Sequence, residues 1–279
     1  MKRTKNWMFG LGLIIFSMGA FYSCSSSSEE IAEPEALLTE DVLNKLEAAY
    51  FDSKSAKVIT LMGETGVMVE DMFFTFQQID ELTPGASIPD TEHYRTTNLV
   101  QSLPRVITIS IDPQLGTLGS NALDDAINMY NSENLLISFQ RINFGGKGKS
   151  KAEIEVTEFY ELESGGFITL GVAAGFPTRR GDPAKGFAIN SRWFELLNPS
   201  RAEVAGTMAH EIGHCIGLRH TDYQTRESCG QNINEGSAGV GAIYIPGTPT
   251  GSDASSIMQS CGPADNFNNN DKIALGVIY

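Results

Sequence analysis

Residues 210–220 read His210-Glu211-Ile212-Gly213-His214-Cys215-Ile216-Gly217-Leu218-Arg219-His220. On a helix, His210 and His214 stand one turn apart and project from the same face. Their imidazole nitrogens can then meet one ion at the bond length of about 2.0–2.1 Å that zinc prefers. Glu211, beside the first histidine, can reach a water on that ion without binding the ion itself. Gly217 lets the backbone leave the helix abruptly, and the turn brings His220 round as a third ligand. Three neutral imidazoles leave a fourth position open, which is the layout of a catalytic zinc site. The chain holds only 4 histidines, and three of them fall in this window. A chance match from this composition is on the order of 10⁻⁵. His93 has no motif around it and reads as a structural or surface histidine.

Ser200 opens the helix that carries the motif, and Glu203 completes a capping box with it. Val204, Ala205, Met208, Ile212, Cys215 and Ile216 supply the apolar positions. Cys215 reads as a small buried hydrophobe; it points about 100° away from His214 and is not assigned as a nucleophile. Residues Asp222–Ser256 are rich in Gly, Ser, Asn and Pro, and a loop of that length is usually functional. Asp271–Tyr279 reads as a closing helix. Asp253 and the run Asn268–Asp271 offer oxygen ligands but read as solvated loop residues rather than a calcium site.

Upstream, a mixed pattern starts at Arg105. Val106–Ile111, Leu135–Ile142, Ala152–Tyr160 and Gly186–Asn190 read as strands, and Asn121–Tyr130 as a helix. The fold class is α+β. Before Ser102, Thr39–Phe51 reads as a helix capped by Thr39. The apolar runs Val67-Met68-Val69 and Met72-Phe73-Phe74 and the turn at Pro84-Gly85 receive no chemistry. That stretch is open to three readings: propeptide, accessory domain, or part of the catalytic fold. The domain expectation is a signal peptide (1–23), a lipidated polar tether (24–36), an N-terminal pro- or accessory region (37–104) and a catalytic domain that carries the zinc motif (105–279).

The N-terminus carries Lys2, Arg3 and Lys5, then an apolar run from Trp7 to Tyr22. That is an export-signal pattern, too short and wrongly flanked for a membrane span. Ser23-Cys24, followed by serines and then acids, resembles the processing site and tether of bacterial surface lipoproteins, with Cys24 as the lipidated residue; Phe21 and Tyr22 are bulkier than that pattern prefers. Simple secretion fits the same n- and h-regions. The expected location is therefore an exported bacterial protein, anchored by lipid at the outer membrane or cell surface, or else secreted. The net charge of −14 argues against nucleic acid as a partner. An exported setting permits disulfides, and Cys229 and Cys261, each in a loop and each followed by Gly, are the expected pair.

The pattern His210-Glu211-x-x-His214-x-x-Gly217-x-x-His220 is the zinc signature of the metzincin metallopeptidases. Ser256-Ile257-Met258-Gln259-Ser260 resembles their Met-turn. The wording of the motif, with Arg219-His220-Thr221-Asp222 and Ser256-Ile257-Met258, most resembles the bacterial dual-action HEIGH metallopeptidases. The resemblance implies a metzincin-like domain: a twisted mixed sheet over an active-site helix, with a Met-turn and a C-terminal helix. It implies Zn²⁺ on His210, His214 and His220, Glu211 as general base and acid, and Met258 as a hydrophobic floor. It implies a protein or peptide substrate paired to an edge strand near Gly186–Asn190, with Tyr244–Gly251 shaping the pocket. The tyrosine that some metzincins place two residues after the Met-turn methionine is Ser260 here; Tyr223 and Tyr244 are weak candidates for its role. An acidic latency switch from residues such as Glu70 or Asp71 is open, with no signal selecting one. Two other readings stay open: a surface-anchored zinc-containing binding lipoprotein without turnover, and a zinc hydrolase of a non-peptide bond.

Overall fold

The computed structural model describes residues 34–49, 51–82, 93–148, 151–235, 240–249 and 251–279. The signal peptide, Cys24, residues 24–33 of the tether, Tyr50 and the Pro84-Gly85 turn lie outside the described residues. Thr39 caps the first helix, α1 (Glu40–Ala48), by accepting from the Val42 amide. Three antiparallel strands follow: β1 (Lys57–Leu61), β2 (Glu64–Val69) and β3 (Met72–Thr75). Side chains alternate across them. Val67, Val69, Met72 and Phe74 pack with Val42 and Leu46 of α1 and with Ile79 of α2 (Phe76–Asp80). Met68 and Phe73 pack on the other side with Leu61, Val172 and Ala188. Both faces are covered, so these strands appear in sequence as unbroken apolar runs instead of alternations.

After β4 (Tyr94–Arg95) come β5 (Arg105–Ile111), α3 (Gly116–Asn131), β6 (Ile137–Arg141) and β7 (Ile154–Phe159). Then follow β8 (Gly171–Ala173), β9 (Gly186–Asn190), α4 (Ser191–Leu197), α5 (Arg201–Ile216), β10 (Ile243–Tyr244) and α6 (Asn269–Ile278). Eight strands form one mixed sheet in the order β1-β2-β3-β8-β9-β7-β5-β6. β5, β6, β7 and β9 run parallel, while β8 is antiparallel to β9. The sheet crosses the sequence boundary expected at residues 104/105, since β1–β3 precede it and β5–β9 follow it. Among the described residues, no helix is long and apolar enough to cross a membrane.

One expectation is corrected. Gly186–Asn190 is not an edge: β9 lies between β7 and β8, and all five of its residues are buried. β8 lies next to β9 on the side of the N-terminal hairpin, and its three residues are too few to show a period in sequence; without β3 its outer side would be an edge. β3 covers that edge through the parallel pair Met72–Ala173, and the Ala173 amide donates to the Asp71 carbonyl at 2.8 Å.

The motif helix α5 packs on α3, sharing a core with β5 and β7 that includes Ile107, Ile109, Leu123, Ile154, Met208 and Ile212. Each such side chain contributes roughly 1.5–3 kcal/mol on burial. Tyr130 of α3 donates to the Ala209 carbonyl at 2.7 Å. Ser200 and Glu203 form the expected capping box. Gly217 ends α5 in the left-handed region at φ 110°, where a side chain would be strained.

Candidate metal centre

α5 presents His210 and His214 on one face, and the turn after Gly217 delivers His220. The Nε2 of His214 lies 3.1 Å from that of His210 and 3.1 Å from that of His220. All three side chains are buried. The opposite ring nitrogens are committed elsewhere. His210 Nδ1 donates to the Ile257 carbonyl at 2.7 Å, and His214 Nδ1 to the Leu218 carbonyl at 2.9 Å. His220 Nδ1 lies 2.8 Å from Glu235 Oε1. A carbonyl or carboxylate only accepts, so these contacts place a proton on each Nδ1 and turn the three Nε2 atoms toward one another. His220 lies between two carboxylates: burial opposes its charge, yet Asp71 and Glu235 hold it well above its ordinary value, so without an ion its Nε2 keeps a proton that a metal would replace. Ligands at about 2.0–2.1 Å in a tetrahedron stand roughly 3.3–3.4 Å apart, close to the spacing found. The donor set fits zinc. Burial pushes His214 down to about 4, which keeps it in the neutral, ligating form.

A fourth group completes the cluster. Asp71, in the turn between β2 and β3, brings Oδ2 to 2.7 Å from His220 Nε2 and 3.4 Å from His210 Nε2. It lies 3.7 Å from His214 Nε2. Asp71 and the three histidines are the metal-ligand cluster found among the described residues. The resemblance left an acidic switch open between residues such as Glu70 and Asp71; the strand pairing puts Asp71 at the nitrogens.

Glu211 is buried, its carboxylate lies against Gly171, and its Oε2 has no hydrogen-bond partner. Burial, followed by the charge of Asp71, pushes its pKa well above the usual carboxylate range. An oxygen with no protein partner is free to take a proton from a molecule in the cleft.

Met258 is fully buried beneath the cluster. A Cβ on Gly213 would come within 2.5 Å of Met258 Sδ, so a side chain at the fourth letter of the motif would displace the methionine. Four residues that the sequence reading did not assign to the site hold this turn and the third histidine. Asp271 accepts from Ser256 Oγ at 2.6 Å and from the Ile257 amide at 3.1 Å. His93 Nε2 reaches the same carboxylate at 3.0 Å; both are buried, so His93 is structural. Asp253 accepts from Asn268 Nδ2 and Asn270 Nδ2, both at 2.8 Å. Asn268, Asn270 and the buried Asp271 therefore latch the Met-turn, while Asn269 is exposed as expected. Glu235 is the fourth unassigned residue. Burial opposes its charge, yet His220, Arg226 and Arg219 hold it down to about 2.

The disulfide joins Cys229 to Cys261, as expected from their loops. Cys215 is buried, its thiol contacts the Gly186 carbonyl, and burial pushes it well above its usual range, so it does not supply a nucleophile. Tyr223 is fully buried against Tyr94, and the Tyr244 hydroxyl donates to the Thr248 carbonyl. Neither contact involves the cluster. Ser260 donates to Asp222 at 2.8 Å. The cleft beside the cluster, about 530 Å³, is lined by residues of the β7–β8 loop, of α5, of 226–231 and of 260–263, rather than by Tyr244–Gly251.

Residues 67–279 match the model of the dual-action HEIGH metallo-peptidase family. A search of the curated proteins found no match. Among solved structures, myroilysin shares 14% identity at a TM-score of 0.41, over 65% of this chain and 96% of that one. High choriolytic enzyme 1, a hatching enzyme zinc-protease from Oryzias latipes (Medaka fish), shares 15% identity at a TM-score of 0.34, over 62% and 88%.

Proposed function

Because the chain belongs to the dual-action HEIGH metallopeptidases, and is thus a zinc metallopeptidase, we propose that it is a metzincin-type endopeptidase with Glu211 as general base and acid. The observation that carries this reading is the convergence of three Nε2 atoms whose Nδ1 atoms are all committed. His210, His214 and His220 would hold the ion. Bound zinc supplies Lewis acidity, which polarises a carbonyl and makes water acidic near neutral pH. Glu211 accepts the proton of the attacking water at its unpartnered Oε2 and passes it to the departing amine. β8 offers its backbone to an extended substrate once β3 has left it.

The conformation described is the closed one. Asp71 stands where the fourth ligand belongs, and β3 takes the substrate's place on β8. Of residues 37–104 we assign the pro-segment role to the part that ends with β3 and makes those two contacts; His93, on Asp271, and Tyr94–Arg95, paired with β10, stay with the catalytic fold. Burial is the larger cause that raises Glu211 and Asp71 is the charge that adds to it, so withdrawal of Asp71 opens the site and eases ionisation of the base together. The N-terminal signal and Cys24 support export and a lipid anchor; loss of labelled palmitate incorporation in Cys24→Ala checks this.

The test compares zinc-loaded wild type, Asp71→Ala and Glu211→Ala on casein and a peptide library. Asp71→Ala should cleave faster than wild type, and chelator should stop it. Glu211→Ala should retain zinc and cleave nothing. An Asp71→Ala protein that holds zinc and cleaves neither substrate would sink the endopeptidase reading.

A further inference from the structure

Beside Asp71 in the hairpin turn, Glu70 enters the cleft that also contains His210 and Glu211. Its Oε2 lies 2.9 Å from Arg226 Nη1, both side chains are buried, and its other oxygen has no partner. Arg226 is fixed in place. Its backbone sits in the left-handed region at φ 49°, which a non-glycine residue occupies only when its surroundings impose it. The Arg226 amide donates to the Asp222 carbonyl at 2.6 Å. Asp222 also receives Ser228 and Ser260, and the disulfide ties the same loop to residue 261. The side chain is aimed by Gln231 on Nε at 2.9 Å and by Glu235 on Nη1 at 2.6 Å.

Glu235 is divided between Arg226 and His220 Nδ1. Glu70 is thus a second carboxyl group on a guanidinium that the rest of the cleft already orients. It belongs to the same hairpin that covers the cluster and β8. When the hairpin leaves, an oriented guanidinium faces the cleft of about 530 Å³ at the place where Glu70, the residue before Asp71, had met it. A buried cation of this kind selects a carboxylate.

We propose that Arg226 is a specificity-determining residue: it receives the carboxylate of a substrate Asp or Glu flanking the scissile bond, in the place that Glu70 now takes. This rests on the endopeptidase reading. No acid elsewhere in the substrate meets this pocket, so the preference belongs to a single position.

The test uses the zinc-loaded full chain carrying Glu70→Ala and Asp71→Ala, which empties the pocket. A peptide-library digest read by mass spectrometry should show Asp and Glu enriched at one position next to the cut. On paired peptides differing only as Glu or Gln there, the acid-over-amide ratio of kcat/KM should be about tenfold or more. With Arg226→Gln added, that ratio should fall to near one, and with Arg226→Lys it should stay above one. Cleavage with no acid enrichment, or a ratio that survives Arg226→Gln, overturns this proposal and leaves the endopeptidase reading standing. A second arm does not need turnover. In the same chain made inactive by Glu211→Ala, the Glu peptide should bind about tenfold more tightly than the Gln peptide. Equal dissociation constants overturn the proposal even where cleavage is absent, whereas absent cleavage with tighter acid binding overturns the endopeptidase reading alone.

Discussion

Glu235 makes the sharpest demand on the metal centre. Its Oε1 lies 2.8 Å from His220 Nδ1 and 2.6 Å from Arg226 Nη1, and the side chain is 4% exposed. It orients the third histidine and raises that ring's basicity. Glu235→Gln keeps the shape and one acceptor but removes the charge. Loss of such a carboxylate partner typically weakens metal affinity by about 10–100-fold, which is roughly 1.4–2.7 kcal/mol. The ion stabilises only the folded chain, so the same energy should leave the zinc-saturated melting transition, lowering Tm by roughly 3–10 °C for a domain of this size. The metal-free protein should lose less than the ~3–5 kcal/mol of a broken buried pair, because Arg226 keeps Glu70 at 2.9 Å. Competition with a chromophoric chelator at equilibrium measures the affinity, and calorimetry with and without zinc separates the two stability effects. A zinc dissociation constant within twofold of wild type would refute the reasoning, because the carboxylate would then not be what holds His220.

Further outcomes follow from other contacts. Gly213→Ala should cost about 1–3 kcal/mol through overpacking, since its Cβ would meet Met258 Sδ at 2.5 Å; denaturant unfolding reads this, and Gly206→Ala serves as a second helix site, pressed instead against the Ala264 carbonyl. Removing the disulfide by Cys229→Ser and Cys261→Ser should lower stability by about 4 kcal/mol on the chain-entropy account, given a sequence separation of 32; equal unfolding midpoints with and without reductant would contradict it. Asp253 is held below its ordinary value of 3.8 by Asn270, Ser255 and Asn268 against the opposing effect of burial. A depressed carboxylate contributes stability that is present above its ordinary value and fades as pH falls through the lowered one. The Tm advantage of wild type over Asp253→Asn should therefore be full at pH 6 and shrink on acidification below that value; a pH-independent difference would show that the charge is not involved.

The sequence by itself determined the parts whose cause is local. Ser200 and Glu203 start α5, the four-residue spacing puts His210 and His214 on one face, and Gly217 ends the helix so that His220 can return. Each depends on neighbours within a few positions, and helical periodicity makes them readable. The Cys229–Cys261 pair was legible for a different reason, as two loop cysteines in an exported chain. Tertiary structure alone decided the rest of the site. Asp71 lies 139 residues before His210, and it reaches the cluster only because β3 pairs with β8 across a junction that no local pattern announces. The strands that carry it are buried on both faces, so their period-2 signal is erased. Glu235 is an isolated acid in an irregular loop, and His93 and Asp271 are 178 residues apart. A long-range pair between single polar side chains leaves no periodic trace in sequence; it becomes visible only when the sheet order brings the two ends of the chain together.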